Sequence, residues 1–158
     1  LSRNESRWDP LVYAAASSEG VEPALVKAVI WNETRFTWVG DPHPVTGRRV
    51  ENPAQLDREE PRISDASVGI MQILTGTAGW IYGRPVSREE LRDPSFNIYL
   101  GTRVLSMYVH GWRPSGAGGR VEGAARPFDL AETLAAYNGG PGAVLNRRPD
   151  GTFPIRGT

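Results

Sequence analysis

The chain has 158 residues, enough to close one hydrophobic core without staples. Lys+Arg and Asp+Glu both number 18, so the formal net charge is zero, which argues against a nucleic-acid partner because that affinity draws on a basic surface. The absence of cysteine excludes disulfides, thiolate metal sites and cysteine nucleophiles, and no apolar run approaches the ~20 residues of a membrane span. With 18 Gly and 13 Pro, short helices between substantial loops are expected. The first residue is Leu1 rather than Met, and no signal-peptide pattern follows. Residues 1–158 are therefore expected to form a single domain excised from a larger protein, or a processed product.

Asp9 and Pro10 predict the start of a first helix, with Asp9 as its N-cap. Leu11, Val12, Ala15 and Ala16 give its stripe, and Gly20 ends it. Glu22-Pro23 opens a second helix with Leu25, Val26, Val29 and Ile30 on one face. The same period lands next on Glu33, so a carboxylate stands where an apolar side chain is due. From Thr37 to Ser64 the pattern dissolves into Pro, Gly and charge, and a long loop or irregular excursion is predicted. Thr75 is predicted to cap a short helix stopped by Gly83, and Ser87 to Glu90 forms a capping box. Asp93-Pro94 opens the longest helix, through Phe96, Leu100, Val104, Leu105 and Tyr108. Gly111 to Pro127 reads as a flexible loop. Asp129 and Glu132 start another helix, Gly139-Gly140 stop it, and Pro141 starts a short one through Leu145. The tail from Arg148 is expected to be loosely ordered. The alternation of a large sheet is missing, so the fold class is mostly α.

Three segments set a polar residue in or beside an apolar run. They are Trp31-Asn32-Glu33-Thr34-Arg35-Phe36, Ser67-Val68-Gly69-Ile70-Met71-Gln72-Ile73 and Ala135-Ala136-Tyr137-Asn138-Gly139-Gly140-Pro141-Gly142. Asn97-Ile98 and Gly101 lie between the last two. In this order they resemble the soluble-type lytic transglycosylase domain, a family related to goose-type lysozyme. The resemblance runs from Leu11 to about Val144. It implies a lysozyme-like fold, with several short helices around a substrate cleft. It also implies cleavage of the β-1,4 bond between N-acetylmuramic acid and N-acetylglucosamine in peptidoglycan. Carried over by position, Glu33 is the expected acid/base. Gln72 and Asn138 are expected to bind sugar, Tyr137 to hold the Glu33 carboxyl, Met71 to line the cleft, and Ser67 either to turn the backbone or to touch substrate.

The chemistry of the residues agrees. An acid must protonate the leaving oxygen, so its proton must be held near neutral pH, and apolar neighbours such as Val29 and Ile30 favour that form. Asn and Gln suit sugars because each offers donor and acceptor. Trp31, Trp38, Trp80, Tyr82 and Trp112 are candidates to stack on sugar faces. Glycosidases ordinarily use a second carboxylate. The family dispenses with it: the substrate's C6 hydroxyl attacks, leaving 1,6-anhydromuramic ends. Asp41, Asp57 and Asp65 are nevertheless candidates, and a water held by Asp65 would make the enzyme a hydrolytic muramidase. A non-catalytic wall-binding module of a phage tail or secretion apparatus is the third reading.

Two departures from the family pattern stand out. The spacing from Glu33 to Gln72 is long, which marks 37–64 as an insertion, and Thr75-Gly76-Thr77 replaces an expected Pro. His43 reads as a loop residue and His110 as a cation at a helix C-terminus. No His pair has metal-ligand spacing, and no metal or other cofactor is expected. The expected partner is the peptidoglycan glycan strand. The expected location is extracytoplasmic: periplasm, cell wall or phage virion.

Overall fold

A computed structural model gives the architecture over residues 4–146; Leu1 and the tail from Arg148 lie outside these described residues. Helix α1 spans Asp9–Glu19 and α2 spans Pro23–Thr34, each with Pro in its first turn, where a missing N–H breaks no intrahelical bond. Trp8, not Asp9, occupies the α1 cap position. Asp9 lies one residue inside, and its carboxylate pairs with Lys27 of α2 at 2.9 Å. Gly20 closes α1 in the left-handed conformation, φ 66°. Val12, Ala15 and Ala16 are buried, as are Val26, Val29 and Ile30.

The core is organised by α5, Pro94–His110. Asn97, Ile98 and every residue from Leu100 to Met107 are buried, so this helix is covered on all sides. Against it pack α1, α2, α3 (Thr75–Tyr82), α4 (Arg88–Leu91) and α6 (Leu130–Gly139). Three starts are capped as the sequence predicts: Ser87 with Glu90, Asp93 on the Phe96 N–H, and Asp129 with Glu132; α3 is not, since Leu74 holds its cap position and Thr75 lies one residue inside. Helix α7, Gly142–Leu145, follows the left-handed Gly140.

The 37–64 stretch is more ordered than its composition suggests. The Gly40 N–H donates to the Val50 carbonyl and the Val50 N–H to the Asp41 carbonyl, both at 2.8 Å. A 3-10 turn follows at Pro53–Leu56, then strand β1, Arg58–Glu60. Strand β1 pairs antiparallel with β2, Asp65–Val68, and β2 with β3, Ile73–Leu74. Strands of two to four residues are too short to write a readable alternation.

The loop expected to be flexible at 111–127 is also anchored. It holds a small hairpin, β4 (Arg113–Pro114) with β5 (Arg120–Val121). Arg120 reaches the Glu19 carboxylate at 3.1 Å, and Arg103 of α5 takes its other oxygen at 3.1 Å. Both guanidiniums lie over the buried Trp112 ring. Glu19 is only 4% exposed, so its charge depends on these partners. His110 Nε2 meets the Gly20 carbonyl at 2.8 Å, joining the ends of α5 and α1.

Candidate active site

Glu33 sits half-buried in the last turn of α2. Its neighbour Thr34 is buried and donates from Oγ1 to the Ile70 carbonyl at 2.8 Å. That bond docks the end of α2 on the 69–72 turn. One residue further, the Met71 carbonyl accepts the Tyr137 hydroxyl at 2.7 Å. Two consecutive carbonyls thus tie α2, the turn and α6 into one place. Burial pushes the Tyr137 phenol well above its usual value, and the Glu33 charge and Tyr108 add to the shift. Glu33 is therefore close enough to be felt by that hydroxyl.

Backbone strain gathers here. Arg35, Phe36 and Gln72 are all left-handed, with φ of 54°, 57° and 51°, a conformation that side chains other than glycine enter at a cost. Asn97, fully buried, holds the turn from below. Its Nδ2 donates to the Val68 and Leu91 carbonyls at 2.8 and 2.9 Å, and its Oδ1 accepts the Met71 N–H at 2.8 Å. All its bonding capacity but one lone pair is used. Gly69 must be glycine: φ is 80° and a Cβ would fall 2.6 Å from the Leu91 carbonyl.

The expected substrate contacts divide. Asn138 is exposed near the end of α6 and open to solvent. Its φ is not positive; the left-handed break is at Gly140. Gln72 is half-buried, but its Nε2 donates to the Leu56 and Gly69 carbonyls at 2.8 and 2.9 Å. Both amide hydrogens are spent, so only Oε1 remains to meet a ligand, as an acceptor. Met71 does not line a cleft with its side chain. It is fully buried, and a Cβ built on Gly101 would sit 2.5 Å from its Sδ. Ser67 is likewise buried: it is 1% exposed on β2, where its Oγ donates to Glu60 at 3.4 Å.

The alternative carboxylates are all engaged elsewhere. Asp41 pairs with Arg7 at 2.6 Å and Asp57 with Arg92 at 2.6 Å. Asp65 accepts the Thr75 hydroxyl and the N–H groups of Ala66, Gly76 and Thr75. Burial alone would raise its pKa, but the Thr75 hydroxyl and those N–H groups outweigh burial and hold it below the usual carboxylate value. Asp65 is the cap of α3, supplied from β2. This explains Thr75-Gly76 at a place where Pro was expected, since Pro has no N–H to give.

A pocket of about 150 Å³ opens beside Gln72 and Tyr137, walled also by Trp80, Tyr108 and Pro141. Burial pushes the Tyr108 phenol up to about 12. Trp80 is 50% exposed and Trp31 45%, the latter beneath the Arg35 guanidinium at 4.6 Å. Trp112 is core, and Trp38 packs edge-on against Trp8. Thr34 and Leu56 are the positioning residues that sequence reasoning missed. Thr34 had a signal, its place beside Glu33; Leu56 acts through its backbone carbonyl and had none.

Residues 10–150 match the family described as the Transglycosylase SLT domain. The chain is similar to a protein of Serratia proteamaculans named membrane-bound lytic murein transglycosylase C, 30% identical over 152 residues, 92% of this chain and 34% of that protein. Proteins of the same name from Yersinia enterocolitica and Yersinia pestis are 31% identical over the same shares. The chain thus spans about a third of the length of the curated relatives it matches.

Proposed function

The chain belongs to the transglycosylase SLT domain family, and on that premise we propose that it is a peptidoglycan lytic transglycosylase with Glu33 as its acid/base. Its mostly-α architecture is lysozyme-like. Glu33 gives its proton to the oxygen between N-acetylmuramic acid and N-acetylglucosamine. The C1–O bond breaks and the N-acetylglucosamine end leaves with a free 4-hydroxyl. The Glu33 carboxylate then takes the proton of the muramic C6 hydroxyl as that oxygen bonds to C1. The products are a 1,6-anhydromuramic end and a regenerated acid.

The observation that carries this reading is the state of the other candidate carboxylates. Asp41, Asp57 and Asp65 are each committed to structural bonds, which leaves no candidate among them for a nucleophile or water-holding base. Tyr137 supports it. Its hydrogen is given to Met71, so toward Glu33 the phenol offers only lone pairs, which suits a protonated acid. The Gln72 oxygen, Asn138 and exposed Trp80 are proposed to hold the sugars. No described helix is long and apolar enough to cross a membrane. The substrate places the proposed site of action outside the cytoplasm. Residues 1–158 are proposed as one catalytic domain, with 37–64 an insertion.

Mass spectrometry of products from purified sacculi tests this directly. Anhydro-ended muropeptides are expected from the wild type. Glu33→Gln is expected to lose about 10²–10⁴ in rate. Reducing ends alone, or an undiminished Glu33→Gln, would overturn the proposal.

A further inference from the structure

We infer that the 37–64 stretch carries an oxyanion-binding concavity for the carboxylates of peptide stems on the glycan strand; this deepens the function proposed above and rests on it. His43, Thr46, Arg48, Arg49, Val50 and Gln55 line a hollow of about 240 Å³. That is several times the ~30 Å³ share of one water.

The side-chain acceptors on its walls are engaged within the loop itself. The Val45 and Thr46 N–H groups donate to His43 Nδ1 at 3.1 and 3.3 Å. The neutral ring therefore carries its hydrogen on Nε2. The Arg48 N–H donates to Thr46 Oγ1 at 3.2 Å. The Glu51 and Asn52 N–H groups donate to Gln55 Oε1 at 2.6 and 3.4 Å. These side chains retain an imidazole N–H, a hydroxyl hydrogen and an amide NH₂ as donors, against one remaining lone pair on the Thr46 hydroxyl. The Arg48 and Arg49 guanidiniums add two positive charges and have no partner among the described residues. By contrast, Arg7, Arg88 and Arg92 all hold carboxylates. A wall rich in donors, with two cations unpaired among the described residues, selects an oxyanion over a neutral sugar.

Position favours the stem over free phosphate. Leu56, next to Gln55, gives its carbonyl to Gln72 Nε2 at 2.8 Å. The hollow therefore adjoins the amide beside the proposed sugar pocket. Muramic acid bears the stem, and the stem bears free carboxylates, so a strand in the cleft carries the anion to this side.

The test is an NMR titration of the full chain with the tripeptide L-Ala–D-Glu–diaminopimelate, its amidated counterpart and inorganic phosphate. The tripeptide is expected to shift the Val45, Thr46 and Arg48 amides, and the amidated form to leave them in place. Arg48→Gln/Arg49→Gln is expected to weaken binding about tenfold with an unchanged circular dichroism spectrum. Should the double variant misfold, Arg49→Gln alone is expected to weaken binding in the same direction. On sacculi the double variant is expected to raise KM for stem-bearing strands about tenfold and to leave amidase-stripped strands unaffected. No shift, a shift with phosphate only, or equal binding by the folded variants overturns the inference. The titration involves no bond cleavage, so its outcome is separate from the fate of Glu33 as the acid.

Discussion

The Tyr137 hydroxyl donates to the Met71 carbonyl oxygen at 2.7 Å, across 66 residues of sequence. Next to it the Ile70 carbonyl takes the Thr34 hydroxyl at 2.8 Å. A strained turn, φ 51° at Gln72, is thus clamped from two helices. Tyr137→Phe removes one clamp and orphans a carbonyl on a fully buried residue. The expected loss is about 1–3 kcal/mol, read from urea unfolding at unchanged m. Turnover on sacculi is expected to fall about tenfold to a hundredfold, since Glu33 is positioned by the same joint.

Gly101 on α5 gives Met71 the room it occupies. A Cβ there would fall 2.5 Å from Sδ and 2.8 Å from Cε. Gly101→Ala is expected to cost about 1–3 kcal/mol by overpacking. In a double-mutant cycle with Met71→Ala the two losses are expected to be less than additive, because the smaller side chain vacates the contact. Additive losses in thermal or urea unfolding would mean that the contact does not govern the packing.

Asp65 makes stability depend on pH. Its folded pKa lies below the unfolded value because hydrogen bonds from Thr75, Gly76 and Ala66 outweigh burial. Its contribution is therefore full above the unfolded pKa of about 3.9 and is lost as pH falls toward the folded pKa. Asp65→Asn is expected to be less stable than wild type at about pH 7, with the gap closing toward about pH 3. Urea unfolding across that range measures it; a gap constant with pH would contradict the assignment.

Glu19 and its two arginines separate a buried charge from an exposed one. Arg103 is 6% exposed, whereas the Arg120 side chain is 32% exposed. Glu19→Ala leaves Arg103 charged and without its carboxylate, at an expected cost of about 3–5 kcal/mol. Arg120→Ala leaves the Glu19–Arg103 pair intact and is expected to cost about 1 kcal/mol or less. It releases the β4–β5 hairpin, so limited proteolysis within 113–121 is expected to accelerate.

Helix boundaries were legible in the chain itself. Pro10, Gly20, Pro23, the Ser87 to Glu90 box and Asp93-Pro94 act through backbone bonds a few residues apart, so local sequence contains both partners. Glu33 was legible for the same reason, as a carboxylate on an apolar stripe of one helix. Even so, Asp9 as a cap was misplaced by one residue, since its carboxylate found Lys27 on another helix.

Only the tertiary structure decided how each polar side chain spends its donors and acceptors. Met71 reads as a cleft residue and Ser67 as a turn or a substrate contact, and both are buried; Gln72 reads as a two-way sugar ligand and keeps only an acceptor. Asp65 reads as a candidate to hold a water and is a cap for a helix that starts ten residues later. The order within 37–64 depends likewise on Arg7, Gln72 and the β2 strand. A hydrogen bond needs two partners in place, and when they lie far apart in sequence neither residue type nor spacing announces the pairing. Composition and period set the helices and put the Glu33 carboxylate on an apolar stripe, while long-range bonding chose what surrounds it.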